Sequence, residues 1–174
     1  MKKIFTPRII FVISVVFVAA FSRLLPHLPN MTPVAAIALF SGTYINRKYL
    51  AFLLPLAALL ISDLFLGFYP EMIAVYISFV LTVGLGMFLN KNKSATNTAA
   101  ASIASSLIFF LLTNLAVWMS ARFAYPSTLA GLGLCYEAAI PFFRNELFGT
   151  LAYNTLFFGA FYLAKNRFPV LARA

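Results

Sequence analysis

Six apolar runs follow one another along the chain, bounded by short clusters of charged residues, prolines and asparagines. A helix that crosses a bilayer core takes about 20 mostly apolar residues. On that measure the pattern predicts six transmembrane helices, over about 9–25, 33–45, 49–66, 70–89, 98–121 and 146–164. The second is short, and Pro33 suits its first turn. The third carries Pro55 internally, which neighbouring helices tolerate by satisfying the backbone group that proline frees. The expectation is one integral membrane domain over 1–174, all-α and polytopic. The basic, then apolar, then Val18-Ala19-Ala20 start also resembles a secretory signal. Because the rest of the chain is polytopic, an uncleaved first helix is expected.

Composition sharpens the class. Hydrophobic residues make up 63% of the chain and charged residues 10%, against about 25% charged in a soluble domain. The net charge of +9 suggests nucleic acid at first, but the cations punctuate apolar runs instead of gathering on one face. They orient the chain in a bilayer. With six spans and cytoplasmic termini, ten cations lie inside (Lys2, Lys3, Arg8, Arg47, Lys48, Lys91, Lys93, Lys165, Arg167 and Arg173). Three lie outside: Arg23, Arg122 and Arg144. The positive-inside bias predicts N-in, C-in in a bacterial inner membrane.

That topology gathers chemistry on one side. Asp63, Glu71, Glu137 and Glu146 all fall at the outer face, with the single histidine, His27. Asn114, Trp118 and Arg122 share one face of the fifth helix, Glu71, Ser78 and Thr82 one face of the fourth. Glu146, Thr150 and Tyr153 or Asn154 form a stripe on the sixth. Polar groups in a membrane usually face the interior or a cavity, so the stripes imply an outward-open cup. For Glu71 and Glu146 a helix-dipole role is an equal reading. Asp63, at a helix C-terminus, calls for a partner: Arg144, Arg23 or His27. An Asp63–Arg144 pair is either structural or ligand-contacting.

Two segments stand out. "RFAYPSTLAGLGLCYEAAIPFFRN" (122–145) is too apolar for an exposed loop and is read as a re-entrant or lid-like outer segment between helices 5 and 6. In it Tyr125, Tyr136, Phe142 and Phe143 are placed to pack over an organic molecule. The "PHLPN" stretch, with its two prolines, is read as a stiff outer turn. It either presents His27 to a ligand or uses it to cap helix 1 or to bond Asp63. Enzyme signatures are missing: no metal-binding histidine pair, no Gly-x-Ser-x-Gly, and no obvious base beside Cys135. No enzymatic role, cofactor or resident metal is expected. The spacings Ala38/Gly42, Ala58/Ser62 and Ala160/Ala164 permit close helix packing, within the chain or with another subunit.

"LPHLPNMTPVAAIALFSGTY", "SDLFLGFYPEMIAVYISF" and "YPSTLAGLGLCYEAAIPFFRNELFG" resemble the S components of energy-coupling-factor vitamin importers. The likeness extends through a branch of small bacterial transport proteins toward the cobalamin-specific S component. It implies a membrane substrate-binding subunit for a small organic nutrient, a vitamin or corrinoid among them, energised by an ATPase/transmembrane module. His27, Asp63 and Arg144 match the cobalamin carrier's outer histidine, third-helix aspartate and last arginine. Where that carrier ligates cobalt with a cysteine, residues 64–90 have none, and Tyr76 lies near the expected place. The first helix also lacks the group's Ala-x-x-x-Ala. The implied substrate-binding residues are His27, Asn30, Asp63, Tyr76, Trp118, Tyr136, Glu137 and Arg144. His27 would be a metal ligand only for a corrinoid. The expected partners are the substrate, the lipid bilayer and the energising module, with no nucleic acid. The competing reading is a structural or assembly membrane protein whose outer polar cluster is an internal salt-bridge network.

Overall fold

A computed structural model describes residues 7–22, 28–121 and 123–172. Six α-helices follow in order: α1 Pro7–Ser22, α2 Val34–Tyr44, α3 Lys48–Leu66, α4 Met72–Leu89, α5 Ala95–Met119 and α6 Leu129–Arg167. A 3-10 turn closes the described chain at Pro169–Ala172. α3, α4, α5 and α6 are long and apolar enough to cross a membrane, while α1 and α2 are shorter apolar helices. The expected positions Arg23, His27 and Arg122 lie outside the described residues, as do Lys2, Lys3 and Arg173.

The interior holds many polar groups within an apolar core, and the exterior is apolar. Ser41, Thr43, Ser78, Thr82, Ser102, Ser105, Thr150 and Asn154 are buried, while Phe65, Ile73 and Phe88 are each more than 70% exposed. So many large apolar side chains on the outside suit a hydrocarbon solvent better than water. Most of the buried hydroxyls turn back onto their own helix. Ser102 donates to Thr98 O at 2.7 Å, Thr82 to Ser78 O at 2.8 Å, and Thr113 to Phe109 O at 2.8 Å. Such back-bonding satisfies a hydroxyl without water.

α2 is the hub. Every residue from Val34 to Thr43 is buried, and α2 packs against each of the other five α-helices. At 11 residues it is about 16 Å long, half a bilayer core. The Ala38/Gly42 face is used inside the chain, against α4. A Cβ on Gly42 would stand 2.2 Å from Val83 O, and one on Gly86 2.3 Å from Leu39 O. Backbone therefore meets backbone where the two glycines cross, the approach that small residues permit in membranes. Thr43 Oγ1, which also donates to Leu39 O, lies 3.1 Å from Gly86 O and reinforces the crossing.

Pro55 is buried in mid-α3. It has no N–H for the carbonyl of Ala51, four residues earlier. The buried Ser41 of α2 supplies a donor instead, Oγ to Ala51 O at 2.8 Å.

The last helix corrects the expected lid. Residues 129–145, read as the greater part of a re-entrant segment before a helix at 146, form the first part of one continuous 39-residue helix, about 58 Å long. Thr128 caps it, its hydroxyl accepting from Gly131 N at 3.1 Å. The turn before it is held from both sides. Trp118 Nε1 donates to Pro126 O at 2.9 Å, and a Cβ on Gly131 would lie 1.9 Å from that same oxygen. Pro141 sits inside α6 without ending it. The segment is thus the second arm of a helical hairpin lying along α5. Tyr136 donates to Leu111 O at 2.8 Å, and the Phe110 and Phe143 ring centroids are 4.7 Å apart.

Candidate functional site

The non-helical stretch 28–33 lies against α6. Asn145 Nδ2 donates to Pro29 O at 3.2 Å, and Met31 packs on Gly149, where a Cβ would approach its Cγ to 3.0 Å. Asn30 takes a left-handed backbone, φ 62°, which asparagine tolerates better than most residues. This stretch was expected to be a turn at the outer surface. Its described part has a turn at residues 29–30 with residues 28–30 exposed, runs beside Glu146 and delivers the chain into α2 at Val34. Irregular backbone beside apolar helices is favoured where it lines a cavity.

Such a cavity is present. A space of about 200 Å³ is enclosed by the 28–33 stretch, the start of α4, α5 and α6, with Asn30, Tyr69, Glu71, Asn114, Phe142 and Phe143 in its wall. A second lobe of about 80 Å³ reaches Thr32, Val34 and Leu59. Asn30, Val75, Phe109 and Glu146 line both lobes, so Glu146 stands at their junction. No lysine, arginine or histidine among the described residues lines either lobe.

Glu146 does not open a helix, as its sequence position suggested. It sits well inside α6, 6% exposed, beside Ser106 near the middle of α5. Its Oε1 accepts from Thr150 at 2.9 Å, while Oε2 has no protein hydrogen-bond partner. One turn further, Asn154 Nδ2 donates to Ser102 Oγ at 2.7 Å, and its Oδ1 is unpartnered, as is Ser106 Oγ. Among the described residues these three are all the buried side-chain N or O atoms without a partner, and all lie on the α5–α6 seam. The stripe Glu146, Thr150, Asn154 is therefore real, and so is the α4 stripe of Glu71, Ser78 and Thr82, all buried. Glu71 precedes α4 and accepts from Ser120 Oγ at 3.1 Å.

Of the sequence-derived site residues, the structure brings Asn30 to the cavity. Asp63 is fully buried near the end of α3 and accepts from Tyr76 Oη at 3.1 Å. Arg144 is exposed on α6, and no ion pair joins it to Asp63. The reason is topological, since α3 packs on α1, α2 and α4, whereas α6 packs on α5 and α2. Trp118 serves the α5–α6 turn, Tyr136 bonds α5, and Glu137 is exposed. None of these three, nor Asp63, Tyr76 or Arg144, lines the two lobes described. Phe142 and Phe143, expected near an organic ligand, do line the cavity. Sequence reasoning put Glu71 and Glu146 on the stripes of the cup without naming them substrate-binding residues, and it left out Phe109 and Phe110. The signal for Glu146 was its spacing with Thr150 and Asn154.

Residues 3–171 match the model of one family, described as a family of unknown function, DUF6580. No curated protein and no solved structure matches the chain.

Proposed function

We propose that this chain, which belongs to the DUF6580 family, is the substrate-binding membrane subunit of an importer, similar in role to an S component. The substrate is a small organic nutrient, captured from the extracytoplasmic side of a bacterial inner membrane. In this reading six helices span the membrane with both termini cytoplasmic, and the chain catalyses no reaction. The cation count along the sequence supports that orientation. An ATP-driven module would supply the energy.

The observation that carries the reading is the cavity at Glu146, which combines aromatic walls with a few converging polar groups, the usual make-up of a small-molecule site. At about 200 Å³ it lies below the ~300–1,000 Å³ of drug-sized sites. A small molecule therefore suits it better than a corrinoid, whose macrocycle and side chains exceed drug size. The rival scaffold reading, an internal polar network, would have buried groups pair with one another. The unpartnered Glu146 Oε2 counts against it, because buried polar groups in native proteins are generally satisfied.

Mass spectrometry of molecules released from the detergent-purified protein tests the proposal. Wild type should release one small organic compound near one per chain, and Ala139→Phe, which fills the cavity wall, should release little. Wild-type protein that releases nothing, or the same compound from both proteins, would contradict it.

A further inference from the structure

The chemistry of the cavity narrows the substrate class, an argument that rests on the importer reading. Glu146 is nine-tenths buried, its Oε2 accepts no well-formed hydrogen bond although the Ser106 hydroxyl lies beside the carboxyl, and it faces both lobes. Its one hydrogen-bonded oxygen is occupied by Thr150. A second carboxyl group, Glu71, lines the same lobe. The rest of that wall is largely aromatic: Tyr69, Phe109, Phe110, Phe142 and Phe143.

Three ligand types can be compared. An anion would enter a space lined by two carboxyl groups and no described cation, so nothing there balances its charge, and a buried unbalanced charge is costly. A neutral apolar molecule would leave Oε2 buried with only the Ser106 hydroxyl beside it, a poorer outcome for a polar group than a ligand donor. A cation bearing N–H groups satisfies Oε2 with a charge-assisted hydrogen bond, and aromatic rings favour its charge through their quadrupoles. Asn154 is two helical turns from Glu146, about 12 Å along α6, so its free oxygen belongs to a separate place on the seam.

We propose that the substrate is a small organic cation, an amine with one ring or a short hydrocarbon body, whose ammonium group binds Glu146 Oε2. The aromatic wall holds its hydrocarbon part. Thr150 fixes the carboxylate by holding its other oxygen, so Oε2 stays presented to the cavity.

The test uses the purified full-length protein and three probes of one shape and different charge: benzylammonium, benzyl alcohol and phenylacetate. Thermal unfolding is followed for wild type, Glu146→Gln and Glu137→Gln, the last altering an exposed carboxyl outside the cavity. Benzylammonium should raise the wild-type midpoint by roughly 5 °C near saturation and leave it unshifted in Glu146→Gln. Glu137→Gln should respond as wild type does. The alcohol and the carboxylate should give little shift in any of the three. Equal shifts from benzyl alcohol, a larger one from phenylacetate, or an undiminished response in Glu146→Gln would overturn the cation assignment. If Glu146→Gln does not fold, the ranking of the three probes on wild type decides. Identifying the co-purified compound separates the two readings: a neutral or anionic molecule overturns the cation class and leaves the importer standing. No compound and no shift from any probe would end both.

Discussion

Removing the Ser41 hydroxyl should cost far more than a serine deletion usually does, and Pro55 is the reason. In an ordinary helix the Ala51 carbonyl would accept from residue 55. Here residue 55 is proline, and Ser41 Oγ donates to Ala51 O at 2.8 Å from a fully buried position. Ser41→Ala leaves that carbonyl without the donor that replaced the missing one. An unsatisfied buried group costs about 1–3 kcal/mol, and interhelical hydrogen bonds measured in membrane proteins reach about 1.7 kcal/mol. A loss of about 1–2 kcal/mol follows. Pro55→Ala restores an N–H to the same carbonyl, so in that background Ser41→Ala should cost about 0.5 kcal/mol or less. The assay is a double-mutant cycle in a reversible SDS–detergent unfolding titration. A coupling of about 1 kcal/mol is expected. The same cost for Ser41→Ala in both backgrounds would refute the compensation.

The α2–α4 crossing makes a graded prediction: Gly42→Ala and Gly86→Ala must push backbone from backbone and should each cost at least the ~1–3 kcal/mol of overpacking. Gly84→Ala, with open space around it, should be neutral in the same titration. Tyr76→Phe removes a hydrogen bond to the buried Asp63 and should cost about 1.5–3 kcal/mol. Arg144→Ala, an exposed change with no bond to Asp63, should stay within about 0.5 kcal/mol. A larger effect at Arg144 than at Tyr76 would reinstate the Asp63–Arg144 pair. For topology, a cysteine at Asn92 should react with an impermeant reagent only from the cytoplasm, and one at Thr128 only from outside. The reverse pattern would invert the proposed orientation.

The helices from α2 to α5 were legible because apolar runs ended at charges, prolines and loop residues, and their observed bounds differ from expectation by three residues or fewer. α6 was not, because its first part, with Gly131, Gly133 and Pro141, reads as a re-entrant or lid-like segment between two helices. In a helix packed along its length on α5, with Thr128 capping its start, they do not break it. Misplacing that start put Glu146 at a helix end and hid its buried position. Spacing revealed which polar residues share a face on α4 and α6. It could not reveal which helix lies opposite: of the partners expected for Asp63, Arg144 lies apart from it, Arg23 and His27 fall outside the described residues, and Tyr76 donates to it. The 28–33 stretch was legible as non-helical from its prolines. Its place against Asn145 and Gly149 depends on long-range packing that no local pattern encodes.

The central claim is that the cavity beside Glu146 opens to the outside and admits small molecules. Thr113 lines it and is nearly buried, so a Thr113→Cys variant on a Cys135→Ser background probes it directly. A small impermeant cationic thiosulfonate, applied to intact spheroplasts, should label the cysteine, while a bulky polyethylene-glycol maleimide should not. No small-reagent labelling from outside, with labelling in inverted vesicles, would contradict the account.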